Sequence, residues 1–101
     1  MASTKKLTNT QIKFLKGIAH GLNPVIIIGS NGITESLTEE LESSLTHHEL
    51  LKIKIANGER EERKEMISYL QEKTGAVLVQ SIGKIFVIFR QNEDSNLPLP
   101  K

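Results

Sequence analysis

The period of the apolar residues changes twice between residues 25 and 55. Val25-Ile26-Ile27-Ile28 is an unbroken β-branched run, Ile33, Leu37, Leu41 and Leu45 recur every fourth residue, and Leu51, Ile53 and Ile55 alternate with Lys52 and Lys54. The unbroken run predicts a short strand buried on both faces. The four-residue repeat predicts a helix from near Thr34 to His47-His48. Strict alternation predicts a half-exposed strand. A strand, a helix and a strand in succession form a crossover unit, and this limits the chain to an α/β architecture.

The flanking segments extend the pattern. Thr8-Asn9-Thr10-Gln11 has the form of a capping box, and Ile12, Leu15, Ala19 and Leu22 follow at helical spacing, so residues 9–20 are predicted as a first helix, ended by Asn23-Pro24. Asn57-Gly58 turns the chain into a charged third helix, residues 59–73, with a stripe of Met66, Ile67 and Leu70 and with Gly75 suited to its C-terminal cap. Residues 77–82 and 85–90 read as two strands joined by Gly83-Lys84, a two-residue loop suited to a type II′ hairpin. The expected order is α-β-α-β-α-β-β, a two-layer α/β (α+β) domain with a four-stranded mixed sheet. Residues 1–91 are expected to form one domain, and residues 92–101, with Pro98 and Pro100, a flexible tail.

With 101 residues, 38% hydrophobic and 25% charged, the chain has the size and balance of one soluble domain. The absence of cysteine excludes a disulfide framework, an iron–sulfur cluster and a thiolate zinc site. Lys5, Lys6, Lys13 and Lys16 interrupt any apolar leader, and no apolar run is long enough for a bilayer. A cytoplasmic protein without membrane contact is expected.

Several chemistries fail on residue grounds. The only aspartate is Asp94, in the tail, so a Ser-His-Asp set is poorly supported. His47-His48-Glu49 lacks the i, i+4 spacing of helical zinc ligands, and its plainer reading is a helix C-terminus where histidine favours the dipole. Phe86-Val87-Ile88-Phe89 matches only a fragment of an RNA-recognition-motif signature, and with four aromatics in all base stacking on rings cannot be the main binding mode. No enzyme activity, cofactor or metal is expected. Gly29-Ser30-Asn31-Gly32 sits between a strand and a helix. It is neither a Walker loop nor a dinucleotide fingerprint. Read alone, it is either an ordinary turn or a place where backbone N–H groups meet a phosphate.

The net charge of +1, from 13 Lys+Arg and 12 Asp+Glu, conceals polarity along the chain. Residues 1–32 hold four lysines and no acid; residues 33–49 hold five glutamates and no Lys or Arg. On the first helix Lys13, Lys16 and His20 fall at i, i+3, i+7, which is one face. On the third helix Glu59 with Arg63 and Glu61 with Lys64 are spaced to pair locally.

Leu7-Thr8, the segment Pro24–Thr34 with its Gly29-Ser30-Asn31-Gly32 loop, His48–Lys54, Thr74-Gly75, Ile82-Gly83-Lys84 and Phe89-Arg90 together resemble the CRM (chloroplast RNA splicing and ribosome maturation) domain family, most closely its bacterial stand-alone, YhbY-type members. The resemblance spans about residues 6–91. It implies a fold similar to the C-terminal domain of translation initiation factor three. It also implies binding to ribosomal RNA in precursors of the large ribosomal subunit, assistance to ribosome assembly, and a KH-like G-x-x-G contact at Gly29, Ser30, Asn31 and Gly32. Many members carry Lys in that loop, whereas this chain has Ser30-Asn31.

On this reading the loop and the start of the second helix hold RNA backbone through N–H groups, with hydrogen bonds from Ser30 and Asn31. Lys13, Lys16, Lys5, Lys6 and His20 supply positive charge, and Lys52, Lys54, Lys84 and Arg90 extend the surface. Glu35, in the first turn of the second helix, suits the helix dipole but repels a phosphate close by. The expected protein acts as a monomer. The competing reading is a protein–protein adaptor whose acidic second helix faces a basic ribosomal protein.

Overall fold

The computed structural model describes residues 7–92 and 99–100. Its elements are α1 (Asn9–His20), β1 (Ile26–Ile28), α2 (Glu35–His48), β2 (Leu50–Ile55), α3 (Arg60–Thr74), β3 (Val77–Ile82) and β4 (Ile85–Phe89). The expected order is present. So is the capping box: Thr8 accepts from the Gln11 amide while the Gln11 side chain accepts from the Thr8 amide. Thr34 caps α2 through the Leu37 amide. Gly75 ends α3 at φ 74°, a left-handed position that an L-residue takes at a cost.

The four strands lie in the order β1-β2-β4-β3. β1 pairs parallel with β2, and β4 runs antiparallel to both β2 and β3. The last strand thus inserts between its two predecessors, and the C-terminal ends of β1, β2 and β3 share one edge of the domain. Gly83 turns the final hairpin at φ 58° while Lys84 keeps a negative φ, the signs of a type II′ turn. A register shift between Leu78 and Gln80 leaves Val79 as an irregularity in β3, which the sequence pattern does not announce.

Two expectations need correction. The domain does not have two layers. Phe86 and Ile88 of β4 enter a core built with Leu41 and Leu45 of α2 and Ile67 and Leu70 of α3. Val87 and Phe89 enter a second core with Leu15 and Ala19 of α1. A strand apolar on both faces needs cover on both, so α1 packs opposite α2 and α3. Conversely, β1 is not buried on both faces. Ile26 and Ile28 are buried, but Ile27 is 61% exposed and Val25 57%. β1 is an edge strand, and α1 packs on β2 and β3 instead.

The tail expectation falls largely on residues outside those described. The three of its residues that are described are held: the Asn92 amide donates to the Glu49 carboxylate at 2.7 Å, Leu99 packs against the α1 core, and the Gln11 side-chain amide donates to the Pro100 carbonyl at 2.9 Å. The local pairs expected on α3 do not form, since Arg63 donates to the Gly58 carbonyl at 3.0 Å instead. Among the described residues, no helix is long and apolar enough to cross a membrane.

Candidate functional site

Charge is sorted by layer. Every acid among the described residues belongs to α2, α3 or their caps, where ten glutamates stand against four bases, a balance of −6. The rest of the described chain carries Lys13, Lys16, Lys52, Lys54, Lys84 and Arg90 and no acid, a balance of +6. Because α1 and the helix pair cover opposite sides of the sheet, the sorting along the sequence becomes sorting in space.

The α1 side of the sheet collects the cations. Burial of Leu15 and Ala19 turns Lys13, Lys16 and His20 to solvent. Ile53 lies in the α2/α3 core, so strand alternation sends Lys52 and Lys54 to the opposite face. Lys54 is exposed, with Ile27 and Ile85 as its partners on the neighbouring strands. The Lys52 ammonium donates to the carbonyls of Ala19 at 3.0 Å and Leu22 at 3.1 Å, so it also ties β2 to the end of α1. Between α1 and the sheet runs a groove of about 500 Å³, floored by Ile82, Ile85 and Val87, with Lys16, His20 and Lys52 on its walls.

Gly17 opens this groove. It lies inside α1, where glycine costs roughly 1 kcal/mol relative to alanine, and a Cβ there would meet nothing within 4 Å. Sequence reasoning missed Gly17, Ile82 and Gln80 as lining residues. An unexplained glycine within a helical pattern was the available signal.

The Gly29–Gly32 loop lies at the edge where β1 and β2 end. It is a tight turn, with the Gly32 amide donating to the Gly29 carbonyl at 3.0 Å and Gly32 at φ 67°. The Gly32 N–H is therefore spent within the loop and is not open to a phosphate. Ser30 and Asn31 are exposed and make no hydrogen bond to the described residues. Gly29 has no left-handed φ, and a Cβ on it would meet nothing within 4 Å. Lys84 comes to the same edge: its carbonyl accepts from the Ile55 amide at 2.8 Å, and the next amide, Ala56, donates to Ile28 at 2.8 Å. Glu35 is exposed in the first turn of α2, as expected.

Arg90 does not join this surface. It follows β4 at the opposite end of the sheet, and its guanidinium is bound to Glu42 at 2.7 Å, the Thr74 carbonyl at 2.8 Å and the Thr46 hydroxyl at 3.3 Å. Its role is to tie β4 to α2 and α3. Lys5, Lys6 and Asp94 lie outside the described residues. His47 Nδ1 lies 2.8 Å from the Ser43 carbonyl, and among the described residues no three His, Asp or Glu side chains gather as a metal site.

Comparison with known proteins adds sequence and fold relatives. Residues 7–90 match the CRS1 / YhbY (CRM) domain. An RNA-binding protein of Haemophilus influenzae is 44% identical over 95 residues, 94% of this chain and 96% of that one. A probable RNA-binding protein of Pseudomonas aeruginosa is 43% identical over 90 residues, 89% of this chain and 86% of that one. The solution structure of a Staphylococcus aureus protein superposes with a TM-score of 0.79 at 33% identity, covering 94% of this chain and all of that one.

Proposed function

The chain belongs to the CRS1 / YhbY (CRM) domain family, and from that premise we propose that it binds RNA on the α1 side of its sheet. The observation that carries the reading is the sorting of charge. Among the described residues, six bases and no acid lie outside α2, α3 and their caps, and five of the six (Lys13, Lys16, Lys52, Lys54 and Lys84) belong to α1, to the sheet face it shares, or to the adjoining turn. A phosphate backbone is drawn to such a face through release of its counterions. The Gly29–Gly32 loop supplies a second contact, where the Ser30 and Asn31 amides and side chains meet backbone oxygens and Gly29 lets the strand come close.

The RNA is ribosomal, in precursors of the large subunit, and the protein assists assembly of that subunit. This assignment rests on the likeness to the stand-alone members of the family. The acidic side is then left for protein. Glu35, Glu39 and Glu40 are exposed on α2, a surface suited to a basic ribosomal protein.

Reversal of the stripe, Lys13→Glu with Lys16→Glu, tests the reading. Both residues are exposed, so the circular dichroism spectrum should remain native while binding to large-subunit ribosomal RNA is lost. Unchanged binding would move the site elsewhere. Association with subunit precursors that survives RNase treatment would favour the adaptor reading instead.

A further inference from the structure

We propose that the groove between α1 and the open half of the sheet receives a single unstacked base of single-stranded RNA. The inference rests on the RNA-binding reading and specifies what the basic face reads. Its floor is apolar, formed by Ile82, Ile85 and Val87, and Gln80 adds a half-buried side-chain amide at the same place. A base offers a flat apolar face and a polar edge that would meet these two features. The volume of about 500 Å³ lies within the range of small-ligand clefts, roughly 300–1,000 Å³.

Gly17 gives the second observation. Nothing in the fold requires a glycine there: its φ is not left-handed and its missing Cβ faces open space. That space is the groove. A helix that forgoes a side chain at this position gains nothing in packing, so the vacancy is read as room for a ligand. The charge around it selects the ligand class. Lys16, His20 and Lys52 border the groove and no acid does, an arrangement suited to the phosphates on either side of an inserted base. Double-stranded RNA keeps its bases stacked and is recognised through backbone and shape, whereas single strands can splay a base into a recess. An apolar protein side chain would fit the floor but would leave the Lys16 ammonium at the rim without a partner.

Gly17→Leu fills the groove with a good helix former, and Gly17→Ala adds only a methyl group. Fluorescence anisotropy is read with two probes of equal length, a labelled single-stranded oligouridylate and a labelled blunt RNA duplex. We expect Gly17→Leu to weaken the single strand about tenfold, the scale of losing one base contact. The duplex should be unaffected, and Gly17→Ala should behave as the unaltered chain. In a parallel experiment, a thiouridine-substituted strand should crosslink to the peptide containing Gln80 and Ile85, which keeps the test independent of any effect of leucine on the helix.

Unchanged single-strand affinity in Gly17→Leu, with a native circular dichroism spectrum, would overturn the groove assignment and leave the RNA reading standing. Equal losses on both probes would overturn base insertion in favour of a backbone contact. Crosslinks confined to Gly29–Gly32 would do the same. Failure of the unaltered chain to bind either probe would remove both the groove assignment and the RNA reading.

Discussion

The Lys52 ammonium donates to the Ala19 carbonyl oxygen at 3.0 Å, joining the second strand to the last turn of the first helix. A cation at a helix C-terminus is favoured by the exposed carbonyls there, so Lys52 holds α1 in place as well as adding charge to the basic face. Lys54, two residues on, is exposed and has no such bond. Lys52→Met should therefore lower stability by about 1–2 kcal/mol, the scale of charged hydrogen bonds at a half-exposed site. Lys54→Met should change stability by less than about 0.5 kcal/mol. Urea denaturation of the two variants checks the difference, and equal stabilities would deny Lys52 its structural role.

Arg90 is the cation that the sequence groups with the RNA surface and the structure places elsewhere. Its guanidinium meets Glu42, Thr46 and the Thr74 carbonyl, and the Arg90 amide donates to the Glu49 carbonyl at 2.9 Å. Arg90→Met keeps much of the stem but leaves Glu42 and the Thr74 carbonyl without their partner. A loss of about 1–3 kcal/mol is expected, with RNA affinity unchanged once the folded fraction is matched. Weakened affinity in folded protein would return Arg90 to the binding surface.

The elements were legible because each follows from local rules. Thr8 and Gln11 mark the start of α1, Thr34 that of α2 and Gly75 the end of α3, and all three act as the local chemistry demands. The misreadings involve partners distant in sequence. Val25–Ile28 reads as doubly buried, yet whether Ile27 is covered depends on where α1 lies, and α1 lies over β2, β4 and β3. The layering was in principle readable from Ile85–Phe89, an unbroken apolar strand that needs cover on both faces. The basic stripe was legible as helical spacing. The groove beside it was not, since its floor comes from β3 and β4 and its wall from α1, and only Gly17 hinted at it.

The two loop glycines separate fold from function. Gly32 sits at φ 67°, where an L-residue costs roughly 1–2 kcal/mol, so Gly32→Ala should destabilise the domain by about that amount. Gly29 has neither a left-handed φ nor a neighbour within 4 Å of its would-be Cβ. Gly29→Ala should leave the thermal midpoint within a degree or two of the unaltered chain, while Gly29→Val weakens RNA by holding the backbone away from its ligand. If RNA affinity survives Gly29→Val, close approach at this loop is not part of binding.

Salt dependence measures how many phosphates the basic face engages. Lys13, Lys16, Lys54 and Lys84 are exposed, and Lys52 has part of its ammonium tied to α1. If about four or five phosphates are neutralised, log affinity for a single strand should fall with log salt at a slope of roughly −3 to −4. Lys54→Met should remove one contact and flatten the slope by about 0.7, whereas Arg90→Met should leave it unaltered because that guanidinium is held by Glu42. Anisotropy titrations over a salt series give all three slopes. A flat response in the unaltered chain would exclude the lysines as the source of affinity. A change in slope for Arg90→Met alone would shift the interface to the opposite end of the sheet.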